Sequence, residues 1–225
     1  MKLSVIMPVY NEAENLHAIL ERIRKVDIDK EILIVDDGSS DGTRELLEGV
    51  ESVDVKVYHH EENMGKGWAV RTGLRHVTGD IVIIQDADLE YDPADYPRLI
   101  QPIVEDGANV VYGSRVLGKN RYSYRRFAWG GLFLTFVTNT LYRTKLTDMN
   151  TCYKVFDAQV IKSVPLNCRG FEFCPEVTAK VAKRGYPIVE VPISYEPRSF
   201  SQGKKIRWHD GLVGLWTLIR YRLWG

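Results

Sequence analysis

Residues 81–90 read Ile81-Val82-Ile83-Ile84-Gln85-Asp86-Ala87-Asp88-Leu89-Glu90. The opening run of β-branched side chains predicts a strand buried on both faces, as in a parallel sheet covered by helices on each side. Carboxylates begin where that run stops. On an extended backbone Asp86 and Asp88 point the same way, with Glu90 in register if the extension continues, so hard oxygen ligands would converge on one divalent cation, Mg2+ or Mn2+. Like charges crowded at the end of a buried strand are costly without such a cation. A cation held by few carboxylates keeps positions open for phosphate oxygens, so a diphosphate ligand fits.

Outward from that strand the pattern alternates. Strands are expected over 3–8, 31–35, 53–58, 81–84 and 109–112, with helices over 12–26, 43–49, 68–77 and 93–105 between them. Leu16, Ile19, Leu20 and Ile23 recur at helical spacing, with Asn11 as the expected cap; Asp92-Pro93 has the form of a second helix start. This alternation predicts an α/β fold with right-handed crossovers and a mostly parallel central sheet, helices on both faces. Ligands of such sheets sit outside the carboxyl ends of the strands. The expected strands end there in Pro8-Val9-Tyr10-Asn11-Glu12, Asp36-Asp37-Gly38-Ser39, Asp86-Ala87-Asp88 and Gly113-Ser114-Arg115.

Past Lys119 the character changes. Arg121, Arg125 and Arg126 stand among Tyr122, Tyr124, Phe127 and Trp129, followed by an amphipathic helix over about 127–142. Residues 147–156 read as a loop entering a short strand, 171–184 as a loop and helix, and 188–195 as an edge or bulged strand because it carries Pro192. A last amphipathic helix covers about 208–224. With no repeat or low-complexity linker, one domain over 1–225 is expected, its halves 1–118 and 119–225.

Thirty basic and thirty acidic residues cancel, so overall charge gives no reason to expect nucleic acid as a partner. Cys152, Cys168 and Cys174 lack Cys-x-x-Cys spacing, which predicts buried, reduced thiols in a cytosolic setting and no zinc site. Pro8 interrupts the N-terminus too soon for a signal peptide, and no run approaches the roughly 18–20 apolar residues of a membrane span.

Several further residues carry chemistry. One acid of Asp36-Asp37 suffices to cap a helix, leaving Asp37 to accept hydrogen bonds from a nucleobase or ribose. Asn63-Met64-Gly65-Lys66-Gly67 precedes a helix, so backbone amides and Lys66 could meet an anion, although the spacing is not that of a Walker loop. Arg115, Arg125, Arg126, Arg198, Lys204 and Lys205 lie in segments returning to the same sheet edge, a cationic mouth suited to phosphate at a membrane. Trp208, Trp216, Tyr221, Trp224, Arg220 and Arg222 give the last helix the composition of an interfacial helix, while core packing remains the other reading.

In this order and spacing the motifs resemble the family 2 glycosyltransferases of the dolichyl-phosphate mannose synthase type. Those motifs are Pro8 to Glu12, Asp36-Asp37-Gly38-Ser39, Asn63-x-Gly65-Lys66-Gly67, Asp86-Ala87-Asp88-Leu89, Gly113-Ser114-Arg115, Phe171-x-x-x-x-Glu176, and Glu190-Val191-Pro192-Ile193 with Arg198. The resemblance spans nearly the whole chain and implies a nucleotide-sugar-binding, GT-A-like fold. It implies that Pro8, Tyr10, Glu12 and Asp37 hold the nucleoside, and that Asp86 and Asp88 hold the metal and diphosphate. Glu90 stands where relatives often have Gln. Arg115, Arg126 and Arg198 would face phosphates, with Gly65, Lys66 and Ser114 also on the donor side and Glu176 orienting sugar or acceptor. The implied reaction is inverting transfer of a hexose, mannose or glucose, from a GDP- or UDP-sugar to a dolichyl or undecaprenyl phosphate, at the cytoplasmic face of a membrane held by peripheral contact. Transfer to a saccharide or protein hydroxyl is the alternative; a non-catalytic nucleotide-sugar-binding protein is the reading of another class, against which the intact acid pair speaks.

Overall fold

Every residue of Ile81–Ile84 is buried, inside a seven-stranded sheet. The computed structural model describes residues 1–118, 120, 125–198, 205 and 207–224, with the backbone alone over 125–127. In chain order the elements are β1 (Leu3–Val9), α1 (Ala13–Lys25), β2 (Lys30–Asp36), α2 (Thr43–Glu48), β3 (Val55–His59), α3 (Lys66–Leu74), β4 (Ile81–Ile84), a 3-10 turn (Pro93–Asp95), α4 (Tyr96–Asp106), β5 (Val110–Ser114), α5 (Arg125–Tyr142), β6 (Lys154–Asp157), α6 (Ala158–Ser163), α7 (Phe173–Lys183), β7 (Ile188–Pro192) and α8 (Trp208–Trp224).

The sheet order is β3-β2-β1-β4-β6-β5-β7. β1 pairs in parallel with β2 and with β4, and β2 with β3. β6 runs antiparallel to both β4 and β5, while β7 lies parallel to β5. The mostly parallel α/β expectation therefore holds, and the strand containing Pro192 sits at the edge, where its missing N–H costs no ladder bond. Apolar stripes fix the helices: Leu16, Ile19, Leu20 and Ile23 of α1 are buried at helical spacing. Burying each such aliphatic side chain stabilises by roughly 1.5–3 kcal/mol.

Three local expectations are corrected. α1 is not capped by the Asn11 side chain; Asn11 adopts φ 48°, its side-chain oxygen accepts from Ser40 N–H, and Asp41 accepts the Ala13 N–H instead. α3 starts at Lys66, inside the stretch expected as loop. The extension of β4 stops at Ile84, and the chain turns through Asp86 to Glu90, with Leu89 at φ 61°. Buried Gln85 terminates the strand: its amide donates to the Asp86 carbonyl at 2.9 Å, and its side-chain oxygen accepts from Tyr96 and Tyr153, each at 2.7 Å.

Candidate active site

The chain crosses from β1 to β2 and β3 on one side, then returns to place β4 on the other side of β1. Such a reversal opens a crevice outside the carboxyl ends of the strands. Pro8, Tyr10 and Glu12 leave β1 on one lip, and Asp86 and Asp88 leave β4 on the other. Because β6 runs against its neighbours, the 147–153 loop that feeds it arrives at this same edge.

Acids and cations interlock in the crevice. The Lys66 ammonium lies 2.6 and 2.7 Å from the two Asp86 oxygens. The Arg198 guanidinium donates to both Glu12 oxygens at 3.1 Å through Nη1 and to Asp88 at 2.9 Å through Nη2. Lys205 donates to Glu12 at 2.8 Å and also to the Tyr10 carbonyl. Thus Lys66, expected to meet a ligand anion, pairs with the first acid after β4.

Burial alone would lift the Asp86 carboxyl, but the Lys66 charge, together with hydrogen bonds from Cys152 and Lys66 and the charge of Arg198, outweighs it and holds Asp86 below the ordinary carboxylate range. Asp88 goes the other way. Burial, followed by the charges of Asp86 and Glu90, pushes its carboxyl up to about 7 despite Arg198. Two neighbouring acids driven apart in this way mark a site where negative charge exceeds what the chain itself neutralises.

The turn after Asp88 gives the Glu90 carboxylate other partners, although its charge still acts on Asp88. Its carboxylate accepts from the Tyr195 hydroxyl at 3.0 Å and the Arg198 N–H at 2.7 Å, so it anchors the 195–198 segment across the crevice. A metal-holding group of three or more His, Cys, Asp or Glu side chains, as Asp86, Asp88 and Glu90 were expected to form, is not assembled among the described residues. Asp86 and Asp88 still fit a divalent cation of the kind that takes a few carboxylates and completes its shell from substrate phosphates and water: both are hard oxygen donors, and burial with the neighbouring Asp86 and Glu90 charges disfavours the charged form of Asp88 in the absence of further positive charge.

Other expected site residues have internal partners. Asp37 accepts from His60 Nδ1 at 2.7 Å, Met64 N–H at 2.9 Å and Gly65 N–H at 2.7 Å, which pins the loop before α3. Gly65 adopts φ 94°, and a Cβ there would collide with the Arg169 carbonyl. Arg115 forks onto Asp148 with bonds of 2.7 and 2.8 Å and lies over the Tyr195 ring. Asp148 is in turn oriented by Glu190, which accepts the Thr147 and Asp148 N–H groups. Ser114 is fully buried; its hydroxyl meets Thr147 at 2.6 Å and accepts from Leu117 N–H. Glu176 is buried as well, its oxygens accepting from Asn167 and Cys168 N–H, Lys180 and Tyr221. The side chain of Arg126 and residue Lys204 lie outside the described residues.

Asp148 and Cys152 were not singled out as site residues from the sequence. Cys152 Sγ lies 3.6 Å from Lys66 Nζ, beneath the acid pair, and burial pushes its thiol up, in keeping with a reduced thiol. The signal for both is their place in the loop before 154–157, which matters only once that strand is known to run antiparallel.

Each amphipathic helix packs one side against the fold. α8 buries Gly214, Thr217 and Leu218, and Tyr142 of α5 donates to the Leu218 carbonyl at 2.6 Å. The opposite sides stay open: Trp129, Phe133 and Phe136 of α5 and Trp208, Leu212, Trp216 and Trp224 of α8 are all more than half exposed, Trp208 at 76%. Among the described residues no helix is long and apolar enough to cross a membrane.

The profile described as Glycosyl transferase family 2 matches residues 4–164, which contain both lips of the crevice. The chain belongs to this family. Among curated relatives of this family 2 member, the undecaprenyl-phosphate mannosyltransferase of Micrococcus luteus is 29% identical, covering 99% of each chain. The dolichol-phosphate mannosyltransferase of Pyrococcus furiosus is 33% identical over 91% of this chain and 59% of its own. Among solved structures, glucosyl-3-phosphoglycerate synthase of Mycobacterium tuberculosis, in complex with Mn2+, UDP and phosphoglyceric acid, aligns with a TM-score of 0.76 at 19% identity, covering 99% of this chain and 78% of that one. At that identity the likeness concerns the fold.

Proposed function

We propose that this family 2 glycosyltransferase moves a hexose, mannose or glucose, from a GDP- or UDP-linked donor to the phosphate of a polyprenyl lipid. The observation that carries the reading is the Asp86–Asp88 pair at the switch point of the sheet, with Asp88 pushed up to about 7. The names of the mannosyltransferase relatives supply the acceptor class.

In this reading Asp86 and Asp88 hold Mg2+ or Mn2+, which when bound supplies positive charge to the departing nucleoside diphosphate. Pro8, Tyr10 and Glu12 border the nucleoside side of the crevice, with Asp37 shaping that side through the loop it pins. Lys66 and Arg198, now paired with acids, stand where a diphosphate would compete for them. Arg115, held in place by Asp148, belongs to the phosphate-facing edge, and the resemblance assigns Arg126 the same role. An oxygen of the acceptor phosphate attacks the anomeric carbon, the bond to the diphosphate oxygen breaks, and the nucleoside diphosphate leaves with the electron pair. One such displacement inverts the carbon. A phosphate is anionic at neutral pH, so no general base is needed.

The donor half is tested by thermal melts with GDP and UDP, each with and without Mn2+. Stabilisation by one nucleotide that requires Mn2+ is expected, because a ligand of the folded state alone raises its stability; no shift with either would overturn the donor site. The acceptor half places the exposed aromatics of α5 and α8 against the cytoplasmic face of a membrane. Co-sedimentation with anionic vesicles should fall at least about fivefold when Trp216 and Trp224 are both changed to Ser, since each interfacial indole contributes to binding; unchanged co-sedimentation would remove that contact.

A further inference from the structure

The exposed helix α8 and the acid pair are joined by a short, fully bonded path. The Tyr221 hydroxyl donates to Glu176 Oε1 at 2.8 Å. The same carboxylate receives the Asn167 N–H at 2.9 Å and the Cys168 N–H at 2.7 Å, so it fixes the start of the 167–170 loop. Glu172 fixes the rest, accepting from Arg169 N–H at 2.7 Å and Gly170 N–H at 3.0 Å. On this loop sits the first turn of α3: the Arg169 carbonyl accepts the Trp68 N–H at 3.0 Å, one of the amides a helix start leaves without an intrahelical partner. The seat is tight, since a Cβ on Gly67 would lie 2.8 Å from Cys168 Sγ and 3.0 Å from the Gly170 carbonyl. From that turn Lys66 reaches Asp86.

We propose that Tyr221 is a positioning residue for the donor site: through Glu176 its hydroxyl fixes the loop that seats the start of α3, and so the placement of Lys66 against Asp86. This rests on the assignment of Asp86 to the donor diphosphate and its cation. Close packing at Gly65 and Gly67 leaves no slack for the loop to shift without moving α3. The Glu176 carboxylate lies too deep to touch a donor directly, being 1% exposed, so the motif residue expected to orient the sugar acts at a distance. The Lys180 ammonium, 4.3 Å from the Tyr221 ring centroid and bonded to Glu176, keeps ring and carboxylate together without the hydroxyl. Removing that hydroxyl therefore loosens one bond of the path and leaves the packing of α8 in place.

The test is Tyr221→Phe in the full chain, read in two ways. Steady-state transfer with Mn2+ should show the donor KM raised about fivefold, the effect of one lost hydrogen bond, with kcat and the acceptor KM within about twofold of wild type. Hydrogen exchange, measured without donor or metal, should quicken in peptides covering 165–170 and 65–70 and stay unchanged in 3–9. Faster exchange confined to α8 and 165–170, with donor KM unchanged, would mean a purely structural bond and would overturn the inference; so would exchange and KM both matching wild type. If wild type itself shows no donor turnover, the active-site assignment fails, and the exchange result still reports on the path. Glu176→Gln provides a second, harder perturbation of the same path, expected to move the same two peptides further.

Discussion

Asp88→Asn is expected to raise the thermal stability of the ligand-free protein at pH 8 while abolishing metal-dependent transfer. The Asp88 carboxyl sits at about 7 in the folded chain against an ordinary value of 3.8. Between those two values the folded protein keeps a proton that the unfolded chain has lost, so stability falls as pH rises through this window, and above it the whole penalty is present. Asparagine carries no charge and keeps one oxygen; Arg198 Nη2 and the Glu90 N–H now bond different Asp88 oxygens, so one of those two bonds is retained and the other is given up with the charge. The melting temperature should therefore rise by a few degrees at pH 8 and by less at pH 5, where Asp88 is already protonated. Transfer should drop by about a thousandfold, the scale of losing several kcal/mol of charge stabilisation at the leaving group. A variant less stable than wild type at pH 8 would show that Asp88 is mainly a partner for Arg198 rather than an excess charge. Sites that trade stability for function behave in the expected way.

Arg198→Ala has the largest expected effect in the opposite direction. Its guanidinium bonds Glu12 and Asp88, which are both largely buried; without it Glu12 keeps Lys205, while Asp88 is left to the charges of Asp86 and Glu90. Stranding buried charge costs about 3 kcal/mol, a fall of roughly 10 °C in melting temperature for a chain of this size. The loss should shrink at pH 5, because Asp88 takes up a proton and no longer needs a counter-charge. Calorimetric melts at pH 5 and pH 8 check both the size and the pH trend; equal losses at the two pH values would contradict the charge explanation.

These effects bear on how much was legible in the chain beforehand. The run Ile81–Ile84 and its acids were readable because a buried strand demands an unbroken apolar run, and the crossovers follow from alternation with helices. The position of the crevice followed too, since strand ends of a parallel sheet share one edge. Glu90 was less readable: alternation assumes an extended backbone, whereas the chain turns at Leu89 with φ 61°, just past a Gln85 held by Tyr153 from far along the sequence. Asp148 was missed for a related reason. Residues 154–157 form too short a strand to show direction, and only its antiparallel insertion between β4 and β5 carries the 147–153 loop to the site. The pairings of Lys66 with Asp86, of Asp37 with His60 and of Glu176 with Tyr221 are likewise long-range contacts that spacing along the chain does not encode. Solvent-facing aromatics on α5 and α8 left core and surface readings open because both helices use one side for each.

The most direct measurement is a transfer assay with radiolabelled GDP-mannose and UDP-glucose, polyprenyl phosphate and Mn2+, following label into organic solvent for wild type and Asp88→Asn. Label should enter the organic phase from one donor with wild type, require Mn2+, and fall to background with the variant. Organic-phase label that is independent of Mn2+ and undiminished in Asp88→Asn would contradict the assignment of the acid pair, and no label from either donor would contradict the proposed reaction.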